Sequence, residues 1–348
     1  MVARSIVITL IACALLVEAP AGEVLDRIET LITTYEDSVR ANTLKMIEAK
    51  TEEEKAQYRA SVPSVAPYAP EVLAIVKANP GDPDIVRGVT WLVIQASSTP
   101  EGQEALTMLG TDFATSPGIA EAVKRLEFQP LELVEPILAK IRTESPHAEE
   151  KAAAIFALGM IHFRRSAQHP DSTDKAIALF QEIVSEHPDT AIHGFKLSDQ
   201  ASQMLFEMTR LAEGNEAPEI EGFDASGQSF KLSDYRGKHV VLCFWGGWCH
   251  ACHGVLPLLN DLHGKVDPKH LAILGINTDA GTEGAATLQQ FGVEFRNWMD
   301  GSTGGPITTL YNLRNFPTLY LINGEGIIVK RNPSMDDITS LATPKTKN

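Results

Sequence analysis

The chain has 348 residues, 44% hydrophobic and 22% charged, with a formal net charge of −15 at pH 7. That length accommodates two domains of ordinary size, and the composition is that of a protein able to bury cores. The acidic balance, with no basic stripe along the chain, excludes a nucleic-acid binder, whose phosphate contacts require clustered Lys and Arg.

Residues 1–21 read as an export signal. Arg4 supplies the positive start, Ser5 to Val17 form an apolar stretch too short to span a bilayer, and Ala19-Pro20-Ala21 offers a small-x-small cleavage site. An uncleaved anchor would need a longer apolar run. A lipoprotein signal at Leu10-Ile11-Ala12-Cys13 would have a very short lead-in, and apolar residues continue past Cys13. The expected location is therefore the periplasm or cell envelope, with no membrane span once the signal is cleaved. Cleavage leaves Cys243, Cys249 and Cys252, too few for a disulfide scaffold, so these cysteines serve chemistry or metal.

Residues 22–212 read as an all-α domain. Val24, Ile28, Leu31 and Ile32 recur at helical spacing, as do Ile85, Val89, Leu92 and Val93, and no run alternates like a strand. Clusters such as Asn79-Pro80-Gly81-Asp82-Pro83 punctuate the helices. Within residues 149–190, Leu158-Gly159, Ala176, Phe180 and Pro188 resemble a tetratricopeptide repeat with a lengthened loop at His169–Thr173; a generic helix pair fits as well.

At Gly214-Asn215-Glu216-Ala217-Pro218 the composition changes, and residues 213–348 read as an α/β domain. Strands are predicted over Lys238 to Trp245, Leu271 to Asn277, Leu319 to Ile322 and Ile327 to Lys330. Helices are predicted over His250 to His263, Glu283 to Phe291, Pro306 to Asn312 and Asp336 to Ala342.

The chemistry concentrates in Cys243-Phe244-Trp245-Gly246-Gly247-Trp248-Cys249-His250-Ala251-Cys252, a buried strand running through a glycine turn into two cysteines that open a helix. A cysteine at a helix N-terminus meets unpaired N–H groups and the positive end of the dipole, which favour its thiolate. Two intervening residues bring both sulfurs onto one turn, within reach of a reversible disulfide. Cys249 is expected to be the exposed attacking thiolate and Cys252 the shielded resolving thiol, passing through a mixed disulfide.

From about Gly214 onward the chain resembles the thioredoxin-like redoxin superfamily, in particular exported TlpA-type proteins whose domain begins like the alkyl-hydroperoxide-reductase and thiol-specific-antioxidant family. The matching pieces are Ala217-Pro218-Glu219-Ile220, Leu232-Ser233-Asp234-Tyr235-Arg236-Gly237-Lys238, Phe244 to Cys252, and Asn315-Phe316-Pro317-Thr318-Leu319-Tyr320-Leu321-Ile322. The resemblance implies a thioredoxin fold, a central mixed sheet flanked by helices, behind the all-α domain. It implies a cis Pro317 against the disulfide and a substrate groove shaped by Trp248, Phe316 and Pro317. It further implies disulfide exchange with protein or small-thiol substrates, an upstream electron donor or acceptor, and no bound cofactor or metal. The helical domain is a candidate for protein docking. Analogy with TlpA-type proteins points to a reductant, while spacing alone leaves reductant, oxidant and isomerase open.

Three departures from the usual pattern stand out. His250-Ala251 replaces Gly-Pro between the cysteines, and a protonated His250 would stabilise the neighbouring thiolate; otherwise it is a solvent-facing helix residue. Cys243 occupies the place of a buried proton-relay acid and reads as a packed strand residue. The final helix is short.

The same residues admit rival readings. Cys249-His250-Ala251-Cys252-His253 matches the c-type haem attachment motif, but it follows a buried strand in an α/β context, and His253 reads as an exposed helix residue. Four zinc ligands within five residues cannot surround a tetrahedral ion. A peroxiredoxin-type thiol peroxidase would need a proline and a hydroxyl residue where Leu242 and Gly246 stand. A non-catalytic adaptor on a thioredoxin scaffold would not need the intact pair.

Overall fold

The computed structural model describes residues 22–341 apart from 167 and 282, so the expected signal at 1–21 and the predicted helix end at Ala342 lie outside the described residues. The chain divides into two compact units, one ending at Leu197 and the other beginning at Ser198.

The first unit contains α1 (Glu23–Glu48), α2 (Glu52–Ala60), α3 (Ala69–Ala78), α4 (Ile85–Gln95), α5 (Pro100–Thr111), α6 (Ala120–Arg125), α7 (Leu131–Glu144), α8 (Ala148–Arg165) and α9 (Asp171–Glu186). The helical spacing read from the sequence corresponds to burial. Val24, Ile28 and Ile32 are fully enclosed on α1, and Ile85, Val89, Leu92 and Val93 are buried on α4. Helix starts follow local chemistry: Thr51 and Glu54 form a capping box on α2, and Thr99 caps α5 ahead of Pro100.

Helices α8 and α9 meet through Gly159 and Phe180. A Cβ on Gly159 would lie 2.7 Å from the Phe180 ring, so the glycine is there to let the aromatic seat against the helix. Phe156 adds a tilted ring contact at 5.9 Å. The unit also carries a hairpin, β1 (Ala191–Ile192) with β2 (Phe195–Lys196), where the sequence predicts no strand. Two-residue strands are too short to show alternation.

The second unit opens with α10 (Leu197–Arg210), whose first residue ends the first unit. The two compact units therefore divide at 197/198, ahead of the change of composition that marks residue 213 in the sequence. Composition changes after this helix, and three residues on or just after it make contacts within the second unit. Gln203 accepts from the Asn312 amide at 3.0 Å, Glu207 pairs with Arg331, and Leu211 joins the core containing Ile220 and Tyr320.

Beyond α10 come β3 (Glu221–Phe223), β4 (Ser229–Lys231), β5 (His239–Trp245), α11 (Cys252–Lys265), β6 (Leu271–Asn277), α12 (Glu283–Gln290), β7 (Arg296–Met299), α13 (Pro306–Leu310), β8 (Thr318–Ile322), β9 (Ile328–Arg331) and α14 (Met335–Thr339). Strands β3 and β4 form an antiparallel hairpin, and the main sheet has the order β7-β6-β5-β8-β9. Within it β5, β6 and β7 run parallel, while β8 is antiparallel to β5 and β9. This is a thioredoxin-like mixed sheet flanked by helices. Val240, Leu242 and Phe244 of β5 enter one core with Phe230, Trp298 and Tyr320; Val241, Cys243 and Trp245 enter another with Leu256, Leu259 and Leu262 of α11. Because both faces are covered, β5 is a continuous apolar run.

Phe180→Ala should lower the stability of the helical unit by about 3–5 kcal/mol. The check is a urea titration followed by far-ultraviolet circular dichroism.

Candidate active site

The reactive segment starts where β5 ends. Trp245 completes the strand, the chain turns through Gly246 and Gly247, and Cys249 N–H donates to the Gly246 carbonyl at 3.0 Å. Helix α11 begins at Cys252, two residues later than the predicted start. Cys249 therefore precedes the first helical turn, and Cys252 N–H donates to both the Cys249 carbonyl at 2.9 Å and Cys249 Sγ at 3.2 Å. That second contact directs one of the helix's otherwise unpaired amides onto the sulfur, where it favours negative charge.

Cys249 and Cys252 are joined as a disulfide, with their Cα atoms 5.3 Å apart. The expectation of an exposed Cys249 is corrected: only 5% of its surface is accessible, against none for Cys252. The order of accessibility is as expected, but both sulfurs sit within the apolar cluster of Trp245, Leu256 and Leu319.

Around the pair, Trp248 is 55% exposed and meets the Phe316 ring edge-on at 5.2 Å. Phe316 also packs on the cluster that holds both cysteines, and the Phe316–Pro317 peptide is cis. His250 is exposed, its ring 5.5 Å from that of His253. Trp248, Phe316 and the cysteine pair are therefore brought together, and His250 sits on the solvent side.

Several residues that position the site carry no obvious signal in the sequence. Gly247 N–H donates to both carboxylate oxygens of Asp279, each at 3.0 Å. Asn277 steadies that carboxylate through its side-chain amide at 2.8 Å. Thr278 donates its N–H and hydroxyl to the Trp245 carbonyl at 3.0 and 3.1 Å. These three residues follow one another at the carboxyl end of β6, the region where open α/β sheets gather their functional groups; a polar Asn-Thr-Asp run after an apolar strand was the available clue. His253, read as exposed, is instead half-buried: it stacks on Phe291 at 4.4 Å, and its Nε2 lies 2.9 Å from the Gly247 carbonyl.

Close packing explains the two glycines. A Cβ on Gly246 would lie 2.3 Å from Trp248 Nε1 and 2.8 Å from Thr278 Oγ1, and one on Gly247 would lie 2.6 Å from Thr287 Cγ2. The first of these also leaves no space for the hydroxyl side chain that a peroxidatic site would carry at Gly246. Beside the turn is an open cleft of about 460 Å³, lined by Gly247, Trp248, Asp279, Glu283, Phe291 and Ser302.

Cys243 is fully buried on β5, opposite Gly275 on β6 and Leu319 on β8. Burial pushes its thiol from the ordinary 9.0 up to about 12. It therefore stays neutral at physiological pH.

These features place the second unit among the thioredoxin-like thiol–disulfide oxidoreductases. Residues 214–331 match the AhpC/TSA family. Thiol-disulfide oxidoreductase ResA of Bacillus thuringiensis subsp. konkukian is 33% identical over 119 residues, which span 34% of this chain and 67% of that protein. ResA of Geobacillus thermodenitrificans is 31% identical over 125 residues, 36% of this chain and 71% of that protein. A crystal structure of the thioredoxin domain of a thiol-disulfide oxidoreductase from Bacteroides vulgatus covers 37% of this chain and 94% of its own, at 27% identity and a TM-score of 0.34. The chain belongs to the AhpC/TSA family, in its ResA- and TlpA-like branch of thioredoxin-fold oxidoreductases.

Cys243 contributes to an alkaline loss of stability, alongside Tyr311 and Tyr320, whose hydroxyls are likewise pushed up by burial. The unfolded chain loses the Cys243 proton first, so its stabilisation is complete below about pH 9 and is lost as pH rises towards about 12. Cys243→Ala should flatten that alkaline decline. Urea midpoints of the two proteins, compared between about pH 8 and about pH 11, measure the difference.

Proposed function

We propose that the protein is an exported thiol–disulfide oxidoreductase in which Cys249 is the nucleophile and Cys252 the resolving thiol. The observation that carries this reading is the pair at the start of α11, with Cys252 N–H directed at Cys249 Sγ. Cys249 is the more accessible residue of the pair, and the amide favours its thiolate.

In the reductive direction, the Cys249 thiolate attacks one sulfur of a substrate disulfide. The Cys249–substrate bond forms as the substrate S–S bond breaks, and the first substrate thiolate leaves. Cys252, deprotonated, then attacks Cys249 Sγ and expels the second substrate thiolate. The enzyme is left as the Cys249–Cys252 disulfide, and two electrons and two protons have passed to the substrate. Written in reverse, the same steps oxidise a substrate dithiol. The potential of the pair relative to its electron partner sets the direction, and no bound cofactor enters any step.

The exposed Trp248 and its Phe316 neighbour supply the apolar rim against which a protein or small-thiol disulfide would rest, next to Pro317. His250 faces solvent at the mouth of the site and is assigned a supporting electrostatic role beside Cys249. Export is supported by the signal-like residues 1–21. No helix among the described residues is long and apolar enough to cross a membrane.

The test is reduction of insulin disulfides by the mature protein and its variants. Cys249→Ser should bring turnover to background, and Cys252→Ser should accumulate mixed disulfides visible on a non-reducing gel. Undiminished turnover by Cys252→Ser would overturn the two-cysteine mechanism. A wild-type protein with no turnover and a pair inert to thiol reagents would favour the adaptor.

A further inference from the structure

The histidine that completes the Cys249-His250-Ala251-Cys252-His253 pattern is placed for a different task. His253 is the second residue of α11, and its ring turns back over the start of the helix to reach the Gly247 carbonyl at 2.9 Å. A carbonyl oxygen only accepts, so Nε2 carries the proton and donates it. One ring face lies on Phe291, 4.4 Å away at an interplanar angle of 28°. On the other side of Gly247, the N–H is held by both oxygens of Asp279. Both main-chain polar groups of this residue are thus occupied, one by the helix that carries Cys252 and the other by the loop after β6.

Gly247 stands two residues before Cys249. The segment carrying the nucleophile is consequently anchored at Trp245 by the sheet, at Gly247 from both sides, and at Cys252 by the helix. We infer that His253 is a positioning residue of the exchange centre, which lowers the reduction potential of the Cys249/Cys252 couple by holding Gly247. This inference rests on the proposed exchange function of the pair.

The thermodynamic argument concerns the two redox forms separately. In the disulfide form, the S–S bond itself restricts Cys249 relative to Cys252. In the dithiol form, the restriction comes from the clamps on the preceding turn. Releasing one clamp gives new conformational freedom mainly to the dithiol form. The disulfide becomes harder to close and easier to reduce, and the potential rises. His253 also joins the two partners of the disulfide mechanically, since its ring sits on the Cys252 helix and its hydrogen bond ends on the Cys249 turn.

The test is equilibration of the full mature protein with glutathione redox buffers, scored by the fraction of the pair oxidised. His253→Phe keeps a ring for Phe291 but has no donor, and His253→Leu removes ring and donor together. Each should shift the equilibrium constant about tenfold towards the dithiol, which is about 30 mV for a two-electron couple. His253→Gln retains an N–H that can reach the carbonyl and should stay near the wild-type value. Circular dichroism and thermal melting identify variants that fold, and the folded donor-free variant is the one read. A donor-free variant with the wild-type potential, or a Gln variant shifted as far as Phe, overturns the inference. A wild-type pair that does not titrate between dithiol and disulfide overturns the exchange function along with it.

Discussion

Strand β5 lies at the centre of the five-stranded sheet, and every side chain from Val240 to Trp245 is withdrawn from water, so no uncompensated charge can sit along it. The site's polar and reactive groups are consequently gathered at its carboxyl end, where the chain leaves the sheet for α11. The same constraint accounts for Cys243. At a position enclosed on both sides by neighbouring strands, a neutral thiol packs as a small apolar group, whereas an ionised acid would need a partner.

The buried side chains of Asn277, Asn297 and Asp300 near this end are all hydrogen-bonded. Asn297 Oδ1 accepts from Trp245 Nε1 at 2.7 Å, while its amide donates to the Phe295 carbonyl at 2.8 Å. Asp300 receives the Ile307 and Thr308 amides, each at 2.8 Å, at the start of α13, and its own N–H donates to the Asn277 carbonyl at 2.9 Å. Asn277 in turn supports Asp279, which holds Gly247. Gly275 permits part of this arrangement: a Cβ there would lie 1.7 Å from Asn297 Oδ1 and would displace the acceptor of the Trp245 indole. The redox turn is thus tied through hydrogen bonds to two parallel strands and a helix start.

How much of this is legible in the sequence depends on the length and regularity of each signal. Strand β6 has the bounds expected of it because six apolar residues, Leu271 to Ile276, followed by a polar turn are hard to misplace, and β5 differs by one residue at its start. Strand β7 escapes a sequence reading: Arg296-Asn297-Trp298-Met299 is short and begins with a cation and an amide, whose roles emerge only against Asp224 and Trp245. The β3–β4 hairpin escapes it for a related reason, since each strand has only three residues. The change of composition at Gly214 to Pro218 follows the end of α10, while the contacts of Gln203, Glu207 and Leu211 with residues far along the chain leave no local signal. At the site, local order along the chain is enough to pick out Cys249 and Cys252. His253 and Asp279 are not recognisable because their function lies in reaching the same glycine from different elements.

The buried third thiol has a practical consequence. Cys249 and Cys252 can react with a thiol-modifying reagent only after their disulfide is reduced, and Cys243 only after the sheet itself opens. The three sulfurs therefore respond to two separate events, a change of redox state and a loss of fold. A mass spectrum taken after brief alkylation would distinguish those events in one molecule: Cys243 serves as an internal unfolding gauge beside a redox pair.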